Sequence, residues 1–519
     1  MTTLLTRSYY HSPCRATPFL GRSLGQQFYL MADKYPDKEM YVFYADKERK
    51  TFQQVREESQ QLAASFLSLG LSTGDRLGVW GGNHYEWLVT YVACMQLGII
   101  LIGCKALVLT RSPDNVYDSV CEIIPELRSC QADKLKSQSL PELTFVAIGG
   151  AQQRGKSSHY SGVYNLDDLI HQERSSACKD TVSKICDEMD MDAPAVIMFT
   201  SGSTGTPKAV THSSHSLLEF VHENGNVYRG NVKGYVQAWE TKYALIMHLS
   251  GISAQIGAVI PIANGNTVVV VGPNYDKDLM AMAFHEEKVT NTVMLIHHMH
   301  DLVNLPYLDS LDFSQMQLIV SGGSIIPPSL LEKSKKICKM SLLGYGLTEM
   351  LDPLLHHPTD DPKRIQSGHY RCIGGHEAKI IDENGEIVPV NTAGEIHFRG
   401  YGIFLYYWGD EEKTKQAKDD NGWLHTGDIA IMDEEGYIRI IGRKTDSMII
   451  EGINVTPFDL EDVLLEHPSI AGVMVSSFLT PRYVLFMESF PTTYTGKFHR
   501  KKMAEIASGI LHLVTSSSS

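Results

Sequence analysis

Twelve residues, Phe199 to Val210, read FTSGSTGTPKAV. The stretch holds two glycines, five hydroxyl side chains, a proline and one lysine behind the apolar run Ala195–Phe199. Such a loop suits a polyphosphate: glycines let backbone N–H groups approach the oxygens, hydroxyls donate, and the lysine neutralises charge. The spacing Gly202-x-x-Gly205-x-x-Lys208 is not that of a Walker A loop, and the chain continues into a short strand at Ala209–Thr211 instead of a helix. Alone, the stretch also fits a Ser/Gly-rich surface turn.

Further polar clusters follow downstream. SGGSIIPPS begins at Ser321 and follows an apolar strand, so it could present backbone groups to a planar base. GYGLTE, Gly344 to Glu349, offers the ring of Tyr345 and two oxygen ligands, Thr348 and Glu349, of the kind a phosphate-bridging hard cation needs. WLHTGD places Asp428 after a tight turn, suited to a pair of sugar hydroxyls. GRKTDSMIIEGINVTP supplies Arg443, and TYTGKFHRKK sets Lys497 in a glycine-containing loop before a basic stretch. Each cluster has a bland counterpart: a Thr-Glu pair is a helix cap, a Gly-Asp pair a turn, an arginine a surface ion pair.

These groups need a scaffold. Thr51 and Gln54 form a capping box, so Phe52 to Leu69 is expected to be a helix stopped by Gly70. Arg76–Trp80 reads as a strand, His84–Leu97 as a helix stopped by Gly98, and Ile99–Ile102 as a strand again: an α/β pattern. Ala106–Leu109 is another buried-looking strand only three residues on. That separation allows a hairpin or one long bent strand, but not a βαβ unit. Strands are expected again at Thr144–Ile148, Tyr243–Met247, Thr267–Val271, Thr292–Ile296 and Gln317–Val320, and short strands with Gly, Asn and Asp turns from Glu377 onward.

At 519 residues the chain is too long for one core. Its net charge of −14 argues against a nucleic-acid footprint. Nine scattered cysteines, odd in number and without a CxxC pair, read as reduced thiols. No apolar run reaches membrane-spanning length. The first 32 residues carry Arg7, Arg15 and Arg22 and no acid, a composition that fits a transit peptide or simply part of the folded domain. HHMH, His297 to His300, lacks a third ligand at zinc spacing and reads as structural.

The order FTSGSTGTPKAV, MHLSG, GYGLTE, GEIHFRG, HTGD, GRKTD and TGK resembles the adenylate-forming superfamily of acyl-CoA synthetases, aryl-CoA ligases and firefly luciferase, over nearly the whole chain. SYYHSP, TPFLG, GDRLGVWG, GCKALV, LKSQSLPELT and RGY–YWGD are most similar to its mitochondrial medium-chain acyl-CoA synthetase family. The resemblance implies an α/β fold: a large N-terminal AMP-binding domain, 1–441, of α/β sheets with a small β-barrel section at about 377–441. A hinge at 442–446, a shortened α+β C-terminal domain at 447–515 and a disordered tail at 516–519 would follow.

It also implies an ATP-dependent, AMP-forming acid–thiol ligase acting on a fatty acid, a small-molecule carboxylate, with Mg²⁺ as cofactor and coenzyme A as co-substrate, in the mitochondrion or otherwise the cytoplasm. Thr200, Ser201, Gly202, Ser203, Thr204, Gly205, Thr206, Pro207 and Lys208 would hold the β- and γ-phosphates. Gly322, Gly323 and Tyr345 would bracket adenine, Asp428 would bind the ribose with Arg443 nearby, and Thr348 and Glu349 would touch the α-phosphate and Mg²⁺. His248 would sit between acyl pocket and nucleotide. Lys497 would bridge the attacking carboxylate and the α-phosphate. The small domain would rotate between half-reactions about Thr445, bringing the Gly452 segment to the coenzyme A tunnel.

Four departures from the family pattern stand out. Relatives carry a helix between Ile99–Ile102 and GCKALV, and its loss would uncover apolar sheet surface. They carry a strand, a helix and coenzyme A contacts between Val475 and Arg482. His369-Tyr370-Arg371 replaces a valine–glycine–arginine step, and Ala209 replaces a glycine. Two alternatives therefore stay open: an enzyme that completes adenylation only, and an inactive nucleotide-binding homologue or splice product.

Overall fold

The computed structural model describes residues 4–12, 18–101, 105–111, 116–150, 160–200, 207–231, 240–322, 326, 328–444, 448–450, 453–455, 502 and 505–506. Two large sheets carry the fold. One has 14 strands, the other eight, and the short strands Met448–Ile450 and Ile453–Val455 pair separately.

The capping box forms as expected: Thr51 accepts from the Gln54 N–H, and the Gln54 side chain returns to the Thr51 N–H, opening the helix Phe52–Ser68. The next helix, Tyr85–Leu97, ends on Gly98 in the left-handed region at φ 62°, which glycine enters without a Cβ penalty. Every residue of this helix is buried. A helix buried on every side belongs between layers, and it sits there: Tyr41, Phe43, Val268 and Val270 of the larger sheet join the same core as Leu88, Val92, Leu77 and Val108.

The alternate residues Val42, Val269 and Val271 point to the sheet's other face, into a second core with the helices Lys277–Glu286 and Ile296–Val303. Leu109, Val146 and Ile148 of the smaller sheet likewise face a third core with Val120 and Cys121 of the helix Val116–Ile123. The architecture is therefore layered, helix–sheet–helix–sheet–helix.

The strands Ile100–Leu101 and Ala106–Leu109 correct the sequence reading. They form neither a hairpin nor one bent strand. Both lie parallel to Arg76–Trp80, one on each side of it: Leu77 is partner to Leu101 on one edge and to Ala106 on the other. The two strands run in the same direction two strand spacings apart, roughly 10 Å. Residue spacing excluded a helical crossover but could not show this lateral step. Residues 102–104 lie outside the described set.

The β-rich section is continuous with the larger sheet. The strands His376–Ile381, Gly394–Gly400, Leu424–Met432 and Ile438–Arg443 run antiparallel and join the α/β part through His369–Cys372. Arg371, in the departure from the family pattern, ion-pairs with the buried Asp360 and stacks on Tyr437. The N-terminal strand Tyr9–His11 closes the edge of this section, pairing Tyr9 with Lys379. Arg7 likewise bridges to Pro389 of the same section.

Candidate active site

The glycine-rich stretch connects two antiparallel strands, Pro194–Thr200 and Lys208–Ser213, with Thr200 opposite Lys208. Ser201 to Thr206 lie outside the described residues; Pro207 is exposed. The return strand pairs on its other edge with Tyr406–Tyr407, Val210 facing Tyr407. Lys208 and Val210 share a face, so Lys208 is the diagonal neighbour of Tyr407. Its Nζ donates to the Tyr407 hydroxyl at 3.4 Å and lies 4.8 Å from the ring centre. The same hydroxyl donates to Oε1 of Glu349 at 2.7 Å.

Thr348 and Glu349 form the two-residue tip of a hairpin, Met340–Leu347 and Met350–Leu355, with Leu347 opposite Met350. Two bonds hold the tip. The Phe404 N–H donates to the Glu349 carbonyl at 2.9 Å, and Nε2 of His212 meets the Thr348 carbonyl at 2.7 Å. His212 is fully buried, and burial pushes its pKa down to about 4. It is therefore neutral at pH 7, and the Nε2–H donates. The half-buried Glu349 keeps its second oxygen without a protein partner among the described residues.

Tyr345 and Gly322 lie on neighbouring parallel strands, Leu318–Gly322 and Met340–Leu347, with Gly322 opposite Gly344. A Cβ on Gly322 would stand 3.3 Å from the Gly344 carbonyl, so side-chain-free floor lies at the carboxyl ends of these strands, where open α/β sheets bind ligands. The Tyr345 hydroxyl donates to Oδ2 of Asp428, and Nε of Arg443 lies 3.0 Å from Oδ1. Asp428 and Arg443 are cross-strand partners, and the Asp428 N–H donates to the Thr426 hydroxyl at 3.0 Å. Burial, then the neighbouring carboxylate, pushes the Tyr345 phenol well above its ordinary pKa.

His248 stands in the loop between the strand Lys242–Leu245 and the helix Ile252–Asn264. Its Nδ1 lies 2.8 Å from the Ser250 hydroxyl, and burial lowers its pKa. The buried Asn83 clamps this loop: its amide donates to the Met247 carbonyl at 2.8 Å and its Oδ1 accepts from the Leu249 N–H at 2.9 Å. No bond among the described residues joins His248 to the other two groups.

Thus the fold unites Lys208, Thr348 and Glu349 through Tyr407 and His212, and Tyr345, Asp428 and Arg443 in a second cluster. Gly323 and Lys497 fall outside the described residues, as do Thr445, Asp446 and almost all of 447–519. Sequence reasoning missed Tyr407, His212 and Asn83. The motif RGY–YWGD contains Tyr407 but carried no chemistry of its own, and His212 and Asn83 act through long-range contacts. No group of three metal-ligating side chains exists among the described residues, HHMH included.

The family model that matches residues 28–408 is that of the AMP-binding enzymes. The chain is similar to the mitochondrial medium-chain acyl-CoA ligase of Danio rerio, 31% identical across 96% of this chain and 91% of that one. The corresponding ligase of Homo sapiens is 29% identical across 96% and 89%. The alignment with the fish protein runs over 567 residues, more than the 519 here, so the relative carries segments this chain lacks. Among solved structures, an anthranilate CoA ligase in complex with anthranoyl-AMP superposes with a TM-score of 0.79 at 20% identity, covering 96% of this chain and all of that one. ATP-bound MatB from Rhodopseudomonas palustris gives 0.74 at 19%, covering 94% and 99%. The fold is that of the adenylate-forming enzymes.

Proposed function

Because the chain belongs to the AMP-binding enzyme family, the adenylate-forming acyl-CoA ligases, we propose that it is an ATP-dependent fatty acid–CoA ligase, with medium-chain acids as substrates. A substrate carboxylate oxygen attacks the α-phosphorus of ATP. The bond to pyrophosphate breaks, leaving an acyl-adenylate. The coenzyme A thiol, losing its proton, then attacks the acyl carbon, and AMP departs with the bonding pair. No protein nucleophile is needed, so the chain's own work is positioning and charge stabilisation.

The observation that carries this reading is the junction at the hairpin tip, where Lys208 and Glu349 converge through Tyr407. Thr200 to Lys208 bind the β- and γ-phosphates. Gly322, Gly323 and Tyr345 bracket the base, Asp428 and Arg443 take the ribose, and Thr348 contacts the α-phosphate. The unpartnered oxygen of Glu349 fits a hard cation, and Mg²⁺ there would neutralise phosphate charge. His248 separates acyl pocket from nucleotide. Lys497 bridges the carboxylate and α-phosphate, carried by a C-terminal domain, 447–515, that turns about a hinge at 442–446. The location we propose is mitochondrial, on the likeness to ligases so named.

The test is thioester formation from short, medium and long fatty acids by purified full-length protein. Medium-chain turnover that depends on ATP and coenzyme A, releases AMP and vanishes in Lys497→Ala is expected. Full turnover in Lys497→Ala would refute that lysine's role. The shortened sequence between Val475 and Arg482 favours a second reading, adenylation alone. Pyrophosphate exchange without thioester would select it.

A further inference from the structure

The motif RGY–YWGD, Arg399 to Asp410, has no role in that scheme, yet it supplies the residue that joins the two halves of the phosphate site. Tyr407 is 4% exposed and fixed from three sides. Its N–H donates to the Thr414 hydroxyl at 2.9 Å, its ring packs on Phe404 at 4.8 Å between centroids, and the next residue's N–H donates to the Ala209 carbonyl at 2.8 Å. This leaves the hydroxyl one position, between Nζ of Lys208 and Oε1 of Glu349.

A phenol can accept from an ammonium with a lone pair while donating its own proton to a carboxylate. A phenylalanine can do neither. Burial and the Glu349 carboxylate push the Tyr407 pKa far up, so the hydroxyl stays protonated and keeps donating. With the phenol between them, Lys208 and Glu349 make no direct ion pair; each reaches the other only through oxygen. A direct pair would turn the ammonium away from phosphate and occupy the carboxylate that a cation needs.

We propose that Tyr407 is a positioning residue that keeps Lys208 and Glu349 aligned but unpaired, so that one stays available to phosphate and the other to a divalent cation. This rests on the reading of those two residues as nucleotide ligands. The atoms that touch substrate are theirs; Tyr407 acts through them.

The experiment uses full-length Tyr407→Phe, which keeps the ring and its packing. ATP binding is followed by calorimetry across a Mg²⁺ titration, and pyrophosphate exchange is measured on the same preparations. In wild type, Mg²⁺ strengthens ATP binding. In Tyr407→Phe the Mg²⁺ needed for half of that effect rises about tenfold, the strength of a hydrogen bond to a charged group. In exchange kcat falls while the melting temperature holds. Tyr407→Phe combined with Glu349→Gln is expected to be no worse than Glu349→Gln alone, because both changes remove the same alignment. An unchanged Mg²⁺ titration in Tyr407→Phe, or additive losses in the pair, overturns the proposal. A wild type that binds Mg-ATP without exchanging pyrophosphate sinks the ligase reading alone, and the titration still decides the role of Tyr407. A wild type that binds no Mg-ATP overturns both.

Discussion

Asp428 and Glu349 are two carboxylates of the candidate site, and the fold treats them oppositely. Asp428 is 3% exposed, with one oxygen on the Tyr345 hydroxyl and the other against Arg443. Glu349 is half-buried on a hairpin tip, with one phenol donor and one open oxygen. A ligand reaching Asp428 meets a carboxylate that already holds a donor on each oxygen and shares those oxygens with them. A ligand reaching Glu349 meets charge that the fold has left unspent. Hydroxyl recognition tolerates the first arrangement, because a carboxylate oxygen can accept more than one donor. Cation recognition requires the second, because a paired carboxylate offers little to a metal ion.

Removing charge tests this contrast most severely. Glu349→Gln is expected to lower kcat for pyrophosphate exchange about a hundredfold, the scale seen when a transition-state charge stabiliser is lost. It should leave the melting temperature nearly unchanged, since only one phenol bond is disturbed. Activity within threefold of wild type would place the cation elsewhere.

Acid probes the same side through His212, which holds the hairpin tip. Its pKa in the fold, about 4, lies below the unfolded value of about 6.5. Between those values the unfolded chain binds the extra proton, so stability falls as pH falls through that window. From pH 7 to 5 this group accounts for about 2 kcal/mol of lost stability. Denaturant unfolding of His212→Gln should show a pH dependence shallower by that amount, and an unchanged slope would mean that the imidazole is not buried neutral.

On the other carboxylate, Asp428→Asn is expected to raise KM for ATP about tenfold with a smaller change in kcat, as loss of one charged hydrogen-bonding partner does. The smallest effect belongs to Tyr345→Phe, which removes one donor from Asp428 and should move KM for ATP by roughly threefold or less. A drop in kcat larger than that of Glu349→Gln would reverse the comparison.

Much of this site was legible before the fold. Tyr345, Thr348, Glu349, Asp428 and Arg443 were marked from residue type and local turn signals, and the fold sets Thr348 and Glu349 at a hairpin tip, Arg443 at a strand end, and Tyr345 and Asp428 within strands. The capping box at Thr51 and the glycine stop at Gly98 were equally readable, because both are local. Tyr407 was not, since Lys208 and Glu349 reach it across 199 and 58 residues of sequence, through strand pairing that no periodicity records. His212 was hidden for the same reason: a histidine in a short strand gives no sign that its ring meets a carbonyl 136 residues away. The strands flanking Arg76–Trp80 were found, but their arrangement was not, because spacing limits what a connection can do without fixing which side of a neighbour it takes.

That sideways step bears on how the chain folds. Three adjacent strands of the smaller sheet come from one stretch, Arg76 to Leu109, broken by a single helix. Their contacts are close in sequence, so little loop entropy opposes them. The strand Pro194–Thr200 joins them from afar in sequence, meeting this group through one pairing, Leu101 with Val196. The centre of this sheet is therefore poised to nucleate, and the strand that leads into the glycine-rich stretch is poised to join it afterwards, ahead of the strands that pair beyond it.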